Sequence, residues 1–177
     1  MNTLITVIGP SGVGKTTFVQ ALAKQDSRYV FANQMDYLLL RAEQEMELRA
    51  SPLIGLTDGG LDLDFHGFTR LFLSRNLLNQ NEYDLCRRFY TFTRQLLPPP
   101  ELIVRLKTDR ETVAGRLSGR RRINIASTED TTLFDSFLDD WLSGVPSNNK
   151  IDLDVTCEDE NYSKSVEFVL GRIQRVS

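Results

Sequence analysis

Gly9-Pro10-Ser11-Gly12-Val13-Gly14-Lys15-Thr16 separates two glycines by four residues and follows the second with a lysine and a threonine. Each residue type has a use in holding a polyphosphate. Glycines reach dihedrals closed to other residues, and they let backbone N–H groups come close to phosphate oxygens. Lys15 would reach the β- and γ-phosphates, and Thr16 would offer a hydroxyl oxygen to Mg²⁺. The apolar run Leu4–Ile8 ends at Gly9, and helical character follows from Thr16, with Phe18, Ala21 and Leu22 at helical spacing. The loop therefore joins a buried strand to a helix N-terminus, whose dipole favours anions. The expected ligands are ATP or another nucleoside triphosphate and Mg²⁺. The residues expected to hold the phosphates are Gly9, Ser11, Gly12, Val13, Gly14, Lys15, Thr16 and Thr17.

Two further groups of charges could serve the same chemistry. Asp58 follows the apolar run Pro52–Leu56, read as a second buried strand. A carboxylate at a strand end beside a phosphate loop organises Mg²⁺ or its water shell. The alternative is a turn aspartate ahead of Gly59-Gly60. Asp62 and Asp64 come next, and one of them can cap the following helix. Two carboxylates so near a phosphate site are costly without cations or donors, so at least one is expected to face substrate or Mg²⁺. Arg116, Arg120, Arg121 and Arg122 crowd one short stretch, either a solvated face or a source of cations for phosphates.

The elements that would position these groups can be read along the chain. Arg28–Phe31 fits a short strand, and Met35–Arg49, rich in Leu, Glu, Arg and Ala, a helix. Phe65–Leu78 is helical, with Phe68, Leu71 and Phe72 on one face. Glu82–Leu97 is another helix, stopped by Pro98-Pro99-Pro100. Leu102–Leu106 is a third apolar strand, Arg110–Leu117 and Leu133–Leu142 are helical, and Ile151–Val155 is a last short strand. Tyr162–Arg175 closes the chain as an amphipathic helix. Strands alternating with helices imply a parallel sheet covered on both faces, with ligands at the carboxyl ends of its strands. Gly9, Asp58, Asp109 and Thr156 lie just beyond strand ends and are expected to share that edge.

Composition sets the outer limits. The 177 residues suit one domain, and 41% apolar with 25% charged residues is ordinary for a globular chain. A net charge of -3 argues against a nucleic-acid binder. Cys86 and Cys157 are far apart and His66 is the single histidine, which leaves no material for a zinc site. Both thiols are expected to be reduced and structural. Met1–Ile5 has no basic start, and no stretch approaches the roughly 20 apolar residues of a membrane span. The expectation is a soluble, cytoplasmic protein with no membrane partner.

Together the motifs resemble the deoxynucleoside kinase family over most of the chain, as a shortened and divergent member. The resemblance runs from the phosphate loop through Leu56-Thr57-Asp58-Gly59-Gly60-Leu61-Asp62-Leu63-Asp64-Phe65. It is clearest from Asn76-Leu77-Leu78 through Tyr83 to Leu97–Leu106. It ends with Arg116–Arg122 and a helix containing Trp141. It implies a three-layer α/β/α P-loop kinase fold with a five-stranded parallel sheet, one strand short, as a single domain over 1–177. It also implies an arginine-rich lid at about 116–128. By resemblance, Lys15, Asp58, Arg120 and Arg122 are catalytic, Arg116 and Arg121 hold ATP phosphates, and Thr16 and Asp58 hold Mg²⁺. The family reads the nucleoside base with a glutamine and an aspartate. Asp64 matches the aspartate, six residues beyond Asp58, and Gln34 is the nearest match to the glutamine. Phe65, Phe68 and Phe89 offer stacking surfaces and fit the core equally. The implied activity is phosphoryl transfer from ATP to the 5′-hydroxyl of a deoxynucleoside or nucleoside. Family members are often dimers, and the Phe65–Leu78 and Glu82–Leu97 helices are apolar enough for such an interface or for core.

Two departures bear on the chemistry. The family's acidic-Arg-Ser strand end is Asp58-Gly59-Gly60 here, without the arginine. A glutamate general base, expected after the first helix, is missing from Arg28–Gln34, which leaves Asp36, Asp58 or Asp64 for that role. A general base contributes about 10²–10⁴-fold, whereas phosphoryl transfer depends mostly on positioning and electrostatics. Two alternatives therefore stay open. One is a nucleoside monophosphate kinase, with Arg41, Arg70 and Arg75 as candidates to grip a second phosphate. The other is a nucleotide-binding module without kinase chemistry.

Overall fold

Val30, Gln34, Leu38 and Ala42 recur every four residues, and all four are buried. This spacing draws residues on either side of Gln34 into one long helix, α1 (Ser27–Ala50). The short strand expected at Arg28–Phe31 is thus the first turn of α1. One β-branched residue, Val30, is a weak strand signal against a helix already propagating from residue 35. The structure is a computed structural model and describes residues 27–109, 112, 128–159 and 161–176. These residues are mixed α/β, mostly helical, with one small parallel sheet. The chain divides into two compact units, Met1–Leu97 with Arg122–Leu138 and Pro98–Arg121 with Asp139–Ser177.

In the first unit, α1 is followed by an irregular segment where the apolar run Pro52–Leu56 predicts a buried strand. Leu53 is 78% exposed, Ile54 70% and Leu56 88%. A strand needs a hydrogen-bonded neighbour, and among the described residues none pairs with this run. The chain then turns through Gly59 (φ 85°) and Gly60 (φ 134°), conformations that only glycine takes without strain. The arginine and serine of the resembled family would be strained at both positions.

A continuous helical stretch follows, made of α2 (Leu61–Leu63), a π-helical turn (Asp64–Thr69) and α3 (Arg70–Ser74). It begins four residues before the expected Phe65 and stops at Ser74, short of Leu78. Asn76 takes a left-handed φ of 54°, which asparagine tolerates better than most residues. The N–H groups of Leu77 and Leu78 both bond the Phe72 carbonyl. Helix α4 (Gln80–Leu96) starts on a capping box: Asn79 Oδ1 accepts from Glu82 N at 3.0 Å, and Asn79 N donates to Glu82 Oε2 at 2.8 Å. It ends just before Pro98-Pro99-Pro100, as expected. Leu38, Leu61, Phe65 and Cys86 form the core between these helices, with Phe31, Met35, Tyr83, Phe89 and Tyr90 against it.

Helix α5 (Thr128–Ser143) brings two aromatic residues, Phe134 and Phe137, against the stretch Gly67–Arg70. The Phe134 ring lies 4.9 Å from that of Phe68, and the Arg70 guanidinium sits 4.4 Å over the Phe137 ring. Gly67 makes the approach possible, because a Cβ there would lie 2.6 Å from two atoms of the Phe134 ring. Alanine gains about 1 kcal/mol over glycine in a helix, whereas overpacking costs about 1–3 kcal/mol. Gly67→Ala is therefore expected to destabilise the wild-type chain and to stabilise a Phe134→Ala background. Urea denaturation of the four proteins measures both signs, and one sign in both backgrounds would rule out the ring as the obstacle.

The second unit holds the sheet. Strands β1 (Ile103–Lys107) and β2 (Lys150–Asp154) are parallel, in register from Ile103↔Lys150 to Lys107↔Asp154. Both fall within one residue of their expected positions, as does the closing helix α6 (Ser163–Val176). The predicted strand Leu4–Ile8, the helix after it and the lid arginines lie outside the described residues, as does Arg110–Leu117 apart from Thr112. Among the described residues, no helix is long and apolar enough to cross a membrane.

Candidate functional site

Gln34 and Asp64 are separated by 30 residues in sequence and meet where α1 crosses the π-helical turn. Gln34 Nε2 donates to the Asp64 carbonyl at 3.1 Å and to Thr69 Oγ1 at 2.9 Å. The Thr69 hydroxyl in turn donates to the Asp64 carbonyl at 2.9 Å. At this wide turn the Asp64 carbonyl thus accepts from two side chains. The Asp64 carboxylate points the other way and accepts from Arg41 Nε through Oδ2 at 2.9 Å. Among the described residues its second oxygen, Oδ1, accepts no hydrogen bond. Burial raises the Asp64 pKa, against the hydrogen bond and positive charge of Arg41, which lower it. The site thus contains a carboxylate fixed on one oxygen, with an acceptor remaining on the other.

Asp62, two residues earlier, belongs to a second network. Arg94 Nε and Nη2 contact Asp62 Oδ1 and Oδ2 at 3.0 and 2.7 Å, while Nη1 and Nη2 contact Glu45 Oε1 and Oε2 at 2.9 and 3.0 Å. Burial works against the charged guanidinium, but hydrogen bonds and charges from Glu45 and Asp62 overcome it and raise its pKa. Tyr90 Oη donates to Asp62 Oδ1 at 2.7 Å and lies 3.0 Å from His66 Nε2. With its proton directed to Asp62, the Tyr90 oxygen is the acceptor, so His66 Nε2 carries a hydrogen. Burial, followed by the charge and hydrogen bond of Asp62, raises the Tyr90 pKa. The cations expected for Asp62 and Asp64 are therefore Arg94 and Arg41 of the chain itself.

The other expected residues are distributed unevenly. Asp58 is exposed in the turn beside Gly59, where Thr57 Oγ1 donates to the Gly59 carbonyl at 3.2 Å. Phe68 packs against Phe72 and Phe134, while Phe65 is buried and stacked on Tyr90 at 4.2 Å. Both cysteines are free; Cys86 is a buried thiol whose pKa burial pushes up to about 11, whereas Cys157 is exposed. In the second unit, Asp109 and Thr156 do meet at the carboxyl ends of the parallel strands. Asp109 N donates to Thr156 Oγ1 at 3.3 Å, and Asp109 Oδ1 accepts from Thr112 N at 2.7 Å. Gly9, Ser11, Gly12, Val13, Gly14, Lys15, Thr16, Thr17, Arg116, Arg120, Arg121 and Arg122 lie outside the described residues.

Sequence reasoning missed Arg94 altogether and assigned Arg41 only a phosphate role. For Arg41 a signal existed: Gln34, Leu38 and Arg41 follow at four and then three residues, so they share one helical face. Arg94 carries no local signal, because its partners Asp62 and Glu45 are 32 and 49 residues away. A scan against protein-family models gives no match, and no curated protein matches the chain.

Proposed function

We propose that this chain transfers the γ-phosphoryl group of ATP to the 5′-hydroxyl of a deoxynucleoside or nucleoside, on a three-layer P-loop kinase fold whose parallel sheet extends beyond β1 and β2. The observation that carries the reading is the meeting of Gln34 with Asp64, the two residues that resemblance assigns to the base, at a turn that leaves Asp64 Oδ1 as an acceptor. A carboxylate oxygen of this kind takes an amino group on a base edge. Phe68, half-buried beside Phe72 and Phe134, is the aromatic residue proposed to face the sugar or base. The exposed apolar side chain of Leu106, on β1, supports a larger covered sheet, since helices on the faces of a parallel sheet would bury it.

On the phosphate side the support is the sequence. Backbone N–H groups of Gly9–Thr17 and the Lys15 ammonium match the charge of a triphosphate, and Arg116, Arg120, Arg121 and Arg122 supply forks for the transferring group. Thr16 and the exposed Asp58 are hard oxygen donors of the kind Mg²⁺ takes. Mg²⁺ in such a site neutralises charge that develops between the β- and γ-phosphates. The Arg41–Asp64 pair weakens the monophosphate kinase reading, because Arg41 already faces a carboxylate.

The test is incubation with ATP, Mg²⁺ and each nucleoside, deoxynucleoside and monophosphate in turn. A monophosphate formed from at least one nucleoside is the expected product. Asp64→Ala should lower kcat/KM for that nucleoside by about 10²-fold or more and leave the KM for ATP nearly unchanged. Equal loss on both sides would remove Asp64 from base recognition. Product from monophosphates alone would turn the reading to the monophosphate kinase.

A further inference from the structure

Arg94 ties together the same two elements that carry the base-reading pair, from a third helix. Gln34, Arg41 and Glu45 occupy one stripe of α1, at spacings of seven and four residues. Along that stripe α1 is linked three times to the stretch Asp62–Thr69. Gln34 holds the Asp64 carbonyl and Thr69, and Arg41 holds the Asp64 carboxylate. Glu45 reaches Asp62 through the Arg94 guanidinium, whose side chain is 10% exposed against 14% for Glu45 and 8% for Asp62. The first two links belong to the proposed recognition of the base. The third touches no ligand in that scheme, yet it is the most completely hydrogen-bonded of the three.

We propose that Arg94 is a positioning residue for nucleoside discrimination. Its planar fork holds Glu45 and Asp62 at a fixed separation, and this sets where Asp64, two residues beyond Asp62, presents Oδ1. The inference rests on the reading of Gln34 and Asp64 as the base-recognising pair. Geometry explains the choice of arginine. One guanidinium bonds two carboxylates in one plane, whereas a lysine ammonium is a point charge on a flexible stem and does not fix their angle. Recognition groups need placement within about 0.5 Å, and that placement comes from the residues behind them. Discrimination is more sensitive to this than rate. A rigid acceptor leaves the wrong base unpaired, whereas a loosened one adapts to it.

The experiment compares the full-length wild type with Arg94→Lys and Glu45→Gln. Each of the four deoxynucleosides is a probe, with kcat/KM measured with MgATP and Kd by calorimetry. In Arg94→Lys the ratio between the best and worst deoxynucleoside should fall by about tenfold or more, with the KM for ATP unchanged. Glu45→Gln keeps the Arg94–Asp62 pair and should lower the ratio less. It also carries the test should Arg94→Lys not fold. A merely structural Arg94 would lower all four values by one factor, set by the folded fraction, and that result overturns the proposal. A wild type that discriminates, with variants that discriminate equally, overturns the Arg94 role and leaves the kinase standing. A wild type that binds and discriminates deoxynucleosides without phosphorylating them sinks the kinase reading, and the ratio of Kd values then decides on Arg94. A wild type that binds none removes both.

Discussion

Lys15→Ala is expected to lower monophosphate formation by about 10²–10³-fold, with a much smaller rise in the KM for ATP. In the proposed reading the two effects separate, because the loop would hold ATP by several means. Backbone N–H groups of a glycine-rich run remain when the lysine side chain is removed, and they would carry ground-state binding of the phosphates. The ammonium matters most where negative charge builds on the transferring group, in the transition state. Lys15→Arg should not restore the rate, because a broad planar fork replaces a compact charge. Measurement of kcat and KM for ATP at saturating nucleoside checks both parts. Activity within tenfold of wild type in Lys15→Ala would sever the link between the Gly9–Thr16 motif and the chemistry. A rise in KM for ATP at unchanged kcat would assign Lys15 to uniform binding instead.

The parts of the fold that were legible in the sequence are those specified locally. Helix α4 has an apolar stripe, a three-proline stop and the Asn79-x-x-Glu82 cap at its start. Strand β1 is a short apolar run and β2 an alternating one, both between turn residues, and their parallel pairing is allowed by the long connection that includes α5. Two elements misled for the same physical reason. Val30 and Phe31, like Leu53, Ile54 and Leu56, are apolar residues whose secondary structure depends on what lies beside them. The first two turned helical because Gln34 and Leu38 continue their stripe, and the others stand exposed with no strand among the described residues to pair with. The candidate site divides in the same way. Gln34 and Asp64 could be matched by spacing, and they do meet. The π-helical turn has no sequence signal, and the counter-charges for Asp62 and Asp64 come from 32 and 23 residues away. The difficulty of two adjacent buried carboxylates was visible in the sequence, but its solution was not.

That solution should dominate the stability of the first unit. Arg94→Met is expected to destabilise the fold by about 3–5 kcal/mol, the cost of breaking a buried ion pair from one side. The substitution preserves most of the apolar stem and removes five donors, so Glu45 and Asp62 lose the cation that joins them. Tyr90 still donates to Asp62, and Arg49 Nε still reaches Glu45 Oε1 at 3.1 Å, which places the effect below the loss of two wholly isolated charges. A loss of this size is a large fraction of the roughly 5–15 kcal/mol that holds an ordinary domain. The sign can be tested against its cause. If the penalty comes from stranded carboxylates rather than from lost packing, Asp62→Asn combined with Glu45→Gln should recover most of it in the Arg94→Met background, because no uncompensated charge then remains. The same two substitutions with Arg94 intact should instead destabilise, since they leave a buried guanidinium with weaker partners. Urea denaturation of the wild type, the single, the double and the triple variant measures the coupling directly. An Arg94→Met chain within about 1 kcal/mol of wild type would place the network among the ion pairs that contribute little, and no recovery in the triple variant would assign the loss to packing.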